Sequence, residues 1–191
     1  MNILGNFEKL NDVEIPEKIS DKIESVQIEK LDIKINFEKK GIIPRNGGEW
    51  TGEPGNSIWK PDRDLEPGDR NGTNPEHKTW GEILDKYGID GIPFKDGEPD
   101  FSEISKGTVQ IEDFSDDRSS NFDQADEKLA EQRGCTPEEV AKWRKENGYT
   151  WHELKDCTTM MKVPTEVHGN IPHSGGVSEY KSQHPSTTER S

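Results

Sequence analysis

Apolar residues are scarce in this 191-residue chain: hydrophobic types make up 27% of it against 34% charged. That balance is too polar for one large core and favours a small folded unit with irregular, polar surroundings, since Gly 18 and Pro 12 add many turns. No apolar run is long enough to span a bilayer, and the Met1 end has no signal-peptide h-region. No membrane insertion by this chain is expected, and any export address is expected elsewhere. Cysteine is nearly missing. Cys135 and Cys157 form neither a CxxC pair nor a disulfide framework, so free thiols are expected, with a structural role for Cys157 left open.

An excess of positive charge is also lacking. The formal charge is -14, but it is unevenly spread. From Gly134 onward there are 7 Lys+Arg and 8 Asp+Glu, which leaves 18 and 31, a net of -13, for the part before it. The last third of the chain can therefore present Lys142, Arg144, Lys145, Lys155 and Lys162 to phosphates. The upstream acidic surplus serves solubility in the simplest reading, and offers a surface to a basic partner in a sharper one.

Along the chain, residues 1–43 are rich in Lys, Glu and Ile. Leu31, Ile33, Ile35 and Phe37 alternate as a half-buried strand, and Ile15, Ile19, Ile23 and Val26 keep helical spacing before it. This part reads as an adaptor or tether. Pro44 to Pro75 is dense in turn residues but carries Trp50 and Trp59, which favours an ordered loop pinned by its aromatics over a linker. Trp80, Ile83, Leu84 and Tyr87 form one helical stripe ended by Gly88. Lys95-Asp96-Gly97-Glu98 is a hairpin signal, and Val109 to Phe114 a short strand. Phe122, Ala125, Leu129 and Gln132 predict a helix stopped by Gly134. Thr136-Pro137-Glu138-Glu139 is a capping box with proline at N1, opening a second helix with Val140 and Trp143 inward.

Three of the five histidines fall between Tyr149 and Gly176. Tyr149 to Leu154 is aromatic and β-branched, Lys155 to Thr158 is a polar turn, and Thr159 to Val163 is a second apolar run. Pro164-Thr165-Glu166 then opens a helix. Strand, turn, strand and helix in that order bring His152 near His168 locally, the geometry of a small metal-binding hairpin-plus-helix. His168 and His173 are five residues apart, about 140° around an ideal helix. Pro172 marks the helix as ended before His173, and Ser174-Gly175-Gly176 lets the chain fold back. Beyond Gly176 the Ser, Thr, Gln and Pro content predicts a disordered tail, placed at 179–191.

The motifs Tyr149-Thr150-Trp151-His152, Met160, Val163-Pro164, His168 and His173-Ser174-Gly175-Gly176 resemble the His-Me finger (ββα-metal) nucleases of the HNH/endonuclease VII superfamily. The likeness is to the branch with a WHH motif found in bacterial polymorphic toxins, and it extends upstream to about Gly47. One departure matters: Glu153 stands where WHH has its second histidine. The resemblance implies an α+β fold, with a ββα-metal core at 134–178 and a loop-rich region at 44–133 packed on it. It also implies a metal-dependent endonuclease, DNA before RNA. Such a protein would be the toxic domain of an exported effector, delivered into a target cell's cytoplasm and met there by a cognate immunity protein.

Phosphodiester cleavage needs an activated water and stabilisation of charge on the phosphate and leaving oxygen, and one divalent metal can supply the second. The resemblance implies His168 as a metal ligand and His173 as a second ligand or phosphate contact. His152 is expected as the base, because an imidazole near its natural pKa suits proton transfer better than a carboxylate. Glu153 or Asp156 is then the carboxylate near the metal, with Lys155 and Lys162 as substrate contacts. Adjacent strand residues point to opposite faces, which makes Asp156 a competitor to Glu153. A His-plus-carboxylate set accepts Mg²⁺, Mn²⁺, Ni²⁺ or Zn²⁺. The other class of function is a homologue that has lost turnover at Glu153 and acts by binding.

Overall fold

A computed structural model describes residues 41–68 and 72–185. The strand expected at Leu31 to Phe37, and the helical spacing from Ile15 to Val26, lie outside the described residues, as do residues 186–191.

Among the described residues, two antiparallel sheets and five α-helices give the expected α+β class. The first sheet has the order β1 (Gly48–Trp50), β2 (Ile58–Pro61), β3 (Ile92–Lys95), β4 (Glu98–Pro99). Its first hairpin is the Gly- and Pro-rich stretch, ordered because Trp50 and Trp59 face each other across the pair with ring centroids 5.3 Å apart. The β3–β4 turn places Asp96 (φ 51) and Gly97 (φ 74) in left-handed conformation, as a two-residue hairpin turn requires. Helix α1 (Trp80–Tyr87) carries a complete capping box from Thr79 and Glu82 and ends on Gly88 at φ 69.

The second sheet has the order β5 (Thr108–Gln110), β7 (Thr159–Pro164), β6 (Tyr149–Glu153), with β7 in the middle. Helices α2 (Arg118–Arg133) and α3 (Pro137–Glu146) cover one face. Val109, Ile111, Ala125, Leu129, Ala130, Val140, Trp151 and Met160 form the core between them. The helix starts follow the sequence: Thr136 and Glu139 complete the second capping box, with Pro137 at the first position. The inward faces differ from expectation. Asn121 and Asp126 are buried while Gln132 is exposed, and on α3 Arg144 is buried beside Val140 whereas Trp143 is 38% exposed. The reason is polar pairing: these buried groups bond one another and the strand beneath.

Strand β7 runs through Pro164 directly into α4 (Thr165–His168), a helix of one turn. The chain then turns back, and Gly176–Gln183 forms α5 where a disordered tail was expected. Val177 is buried, and Tyr180 packs on Phe114 at 5.9 Å, which gives this polar helix an apolar anchor.

Candidate metal centre

Strand β6 delivers His152. Its register pairs Trp151 with Lys162, His152 with Met161 and Glu153 with Met160, so alternation sends the imidazole to one face and Trp151 and Glu153 to the other. On that second face the Trp151 indole N–H donates to Asp126 Oδ1 at 2.8 Å. Asp126 in turn receives Arg144 Nε at 3.2 Å and a second guanidinium nitrogen at 2.7 Å. One buried carboxylate therefore ties α2, α3 and β6 together, and fixes the strand that carries His152.

Helix α4 places His168 at its last residue, and the turn through Pro172 places His173. The His173 Nδ1–H donates to the Ile171 carbonyl at 2.7 Å, which leaves its Nε2 lone pair for a ligand. His152 Nδ1 and His168 Nε2 lie 3.2 Å apart. One ligand nitrogen from each of the three rings can be chosen so that all lie within 4.8 Å of one another. For metal–nitrogen bonds of 2.0–2.1 Å, the edge of a tetrahedron is about 3.3 Å, so the first pair is already at ligand spacing and the third ring needs a small closure. His152 Nε2 is buried with no hydrogen-bond partner. Three imidazole nitrogens at this spacing fit a divalent ion.

Electrostatics prepare the rings to coordinate. Burial pushes the His152 pKa down to about 3, with His173 and Arg118 adding to the fall. Burial likewise holds His168 well below, and His173 below, the ordinary histidine value. All three are neutral at physiological pH, with lone pairs available. Phe101, 1% exposed, sets its ring edge-on to all three at centroid distances of 5.1, 5.7 and 5.9 Å. A cavity of about 280 Å³ opens beside them, bordered by Ile42, Arg118, Glu153 and Gly169 among others.

The other expected site residues are placed differently. His152 shares the cluster with His168 and His173, so the geometry favours it as a third ligand over the base expected there. Glu153 borders the same cavity but from the opposite strand face. Its carboxylate accepts from Asn121 Nδ2 at 2.9 Å and pairs with Arg118 Nε at 3.3 Å, and burial raises its pKa against both partners. Asp156 is outside the three-imidazole group: it closes the β6–β7 turn by accepting from Thr158 N, Thr159 N and Thr159 Oγ1. A turn carboxylate with three donors is a structural acceptor, and the group of close ligand atoms comprises His152, His168 and His173 without it. Lys162 is fully buried, its amine 4.5 Å from the centre of the Trp143 ring, so it cannot meet substrate as expected. Lys155 donates its amine to the Asp96 carbonyl at 3.1 Å, and its charge reaches His173.

Phe101, Arg118 and Asn121 were not anticipated. Asn121 was open to detection, as an amide on the buried side of an otherwise apolar stripe. Phe101 and Arg118 sit in loop and helix-start contexts with no periodic signal.

Residues 91–175 match a family model described as the DNase/tRNase domain of colicin-like bacteriocins. The matched segment runs from β3 to just beyond His173, so it contains the three histidines, Phe101, Arg118 and Glu153. It supports a nuclease toxin of bacteriocin type, with hydrolase activity on nucleic acid. No curated protein matches the chain. No helix among the described residues is long and apolar enough to cross a membrane.

Proposed function

We propose that this protein is a metal-dependent endonuclease of the His-Me finger type, with DNA as first substrate and RNA as second. One observation carries the reading: three neutral imidazoles from a β-hairpin and the turn after it converge inside the segment that matches a nuclease toxin family. His152, His168 and His173 would hold one divalent ion, which when bound stabilises charge on the phosphoryl and leaving oxygens. The reaction adds a water oxygen to phosphorus and breaks the bond to the departing sugar oxygen.

With His152 committed to the ion, Glu153 is the group at the cavity able to take the water's proton. Its raised pKa makes it a better base than a free carboxylate. Arg118, whose side chain is 66% exposed beside it, is placed to receive a phosphate oxygen. In its biological setting the chain would be an effector domain, delivered into a target cell and blocked by a cognate immunity protein. Plasmid DNA and total RNA, incubated side by side with Mg²⁺, Mn²⁺, Ni²⁺, Zn²⁺ or chelator, test substrate and metal together. Cleavage of neither under any ion would contradict the proposal.

A second reading draws on Glu153 being engaged by both Asn121 and Arg118: a homologue that binds nucleic acid without turnover. Glu153→Gln separates the two. The enzyme loses cleavage by about 10²-fold or more, whereas the binding protein shows no cleavage to lose and keeps its affinity.

A further inference from the structure

A chain with a net charge of -14 repels a polyanion unless positive charge is gathered where the strand must lie. The cavity at the metal centre does not supply it: its imidazoles are neutral, and Arg118 is matched by Glu153. A second cavity, of about 370 Å³, lies between α1, α3, the start of β6 and α4. Three amines border it, Lys78, Lys86 and Lys145, against two carboxylates, Glu76 and Glu166. A third cavity, at the β1–β2 ribbon, has Lys60 and Arg63 against Glu49, Asp62 and Asp90, so of these three the second has the positive formal balance.

The pairing inside that cavity leaves one amine unmatched. Glu166 is contacted by Lys86 and the Tyr87 hydroxyl, and lies 3.5 Å from Lys78, which also pairs with Glu76 at 2.7 Å. Both carboxylates are spent holding Lys78 and Lys86 in place. Lys145 is exposed and has no carboxylate partner among the described residues. The cavity also abuts the metal centre. Thr73 borders it and donates to Asn170 Oδ1 at 3.1 Å. Gly169, which borders the metal-centre cavity, approaches Thr73 so closely that an added Cβ would lie 2.4 Å from the Thr73 methyl. The two cavities flank α4, the turn of helix that carries His168.

We propose that the Lys78–Lys86–Lys145 cavity is a phosphate subsite, which takes a backbone phosphate of the same nucleic-acid strand that reaches the metal centre. Lys145 is the amine free to pair with it; Lys78 and Lys86, held by Glu76 and Glu166, border the cavity beside it. The proposal rests on the nuclease reading for its ligand, and its test is independent of turnover.

Anisotropy of a fluorescent DNA duplex and of a single-stranded RNA, measured in chelator over a series of salt concentrations, reads the subsite directly. The expected result is that Lys145→Ala weakens binding several-fold on every sequence, and lowers the salt slope by about 0.9 on duplex or about 0.7 on single strand. Lys145→Glu weakens it further. Lys128→Ala, which removes an exposed amine paired with Glu112 on the far helix, leaves both quantities unchanged. Equal affinity and slope for Lys145→Ala and the parent overturns the subsite, as does a parent that binds neither polymer. A parent that binds through Lys145 yet cleaves neither polymer when metal is restored upholds the subsite and defeats only the nuclease reading. The arm that binds more tightly names the polymer.

Discussion

Replacing Asp126 with alanine tests how the hairpin is held. The side chains of Asp126 and Arg144 are 4% and 10% exposed, and the carboxylate accepts two guanidinium bonds and the Trp151 indole N–H. Asp126→Ala leaves a buried guanidinium and a buried indole donor without partners. Removing one member of a buried ion pair costs about 3–5 kcal/mol, and the orphaned indole adds about 1 kcal/mol or more. For a unit of this size that is a fall in Tm of roughly 10–20 °C. Asp126→Asn keeps an acceptor for Trp151 and loses only the charge, so its loss is roughly half as large. Urea unfolding of the parent and both variants at pH 7 gives the ranking. A loss below about 1 kcal/mol for Asp126→Ala, or a larger loss for Asp126→Asn, would refute the argument that this carboxylate anchors the strand bearing His152.

The buried amine of Lys162 makes the opposite prediction. Burial brings its pKa down to about 8, so the charged form costs about 3 kcal/mol below that pH relative to the unfolded chain, partly offset by the Trp143 face. Lys162→Met removes that cost and is expected to stabilise the protein at pH 7 by about 1–3 kcal/mol in urea unfolding. Between pH 8 and 10.5 the unfolded amine holds a proton that the folded one has lost, so parental stability rises with pH there, and Lys162→Met flattens the rise. The three histidines act at lower pH. Their folded pKa values lie below the unfolded value, His152 at about 3. The unfolded chain therefore binds more protons as pH falls through 6.5, and metal-free stability drops with it, by up to about 1.4 kcal/mol per pH unit for His152. Urea midpoints at pH 7, 6 and 5 measure the slope, and His168→Ala reduces it by one histidine's share.

Local chemistry made much of this fold legible. Both capping boxes, the Gly88 and Gly134 helix ends, the Asp96-Gly97 hairpin and the strand–turn–strand–helix around the histidines follow from residue types at fixed offsets. Such signals need no knowledge of what packs against them. Lys162 shows where they stop. In isolation it is a cation in a short strand, but β7 lies between β5 and β6 with both faces covered, and a strand covered on both faces does not alternate between buried and exposed. Asn121 and Asp126 were hidden for a related reason: each is buried because a distant residue, Glu153 or Arg144 and Trp151, supplies its partner. Asp156 had the right chemistry for a ligand, but its place in the turn gave it nearer donors in Thr158 and Thr159. The convergence of His152, His168 and His173 was readable as a tendency; that His152 completes the triad required the register with Met161.

The proposed activity depends on one ion held by three imidazoles. Metal-stripped protein, to which Zn²⁺, Ni²⁺ or Mg²⁺ is added back in steps while plasmid cleavage is followed, measures that claim. At protein concentrations above the Kd, cleavage is predicted to rise from nothing and level off at one equivalent per chain, with no recovery in His168→Ala. Undiminished cleavage in chelator, or the same recovery in His168→Ala as in the parent, would contradict it.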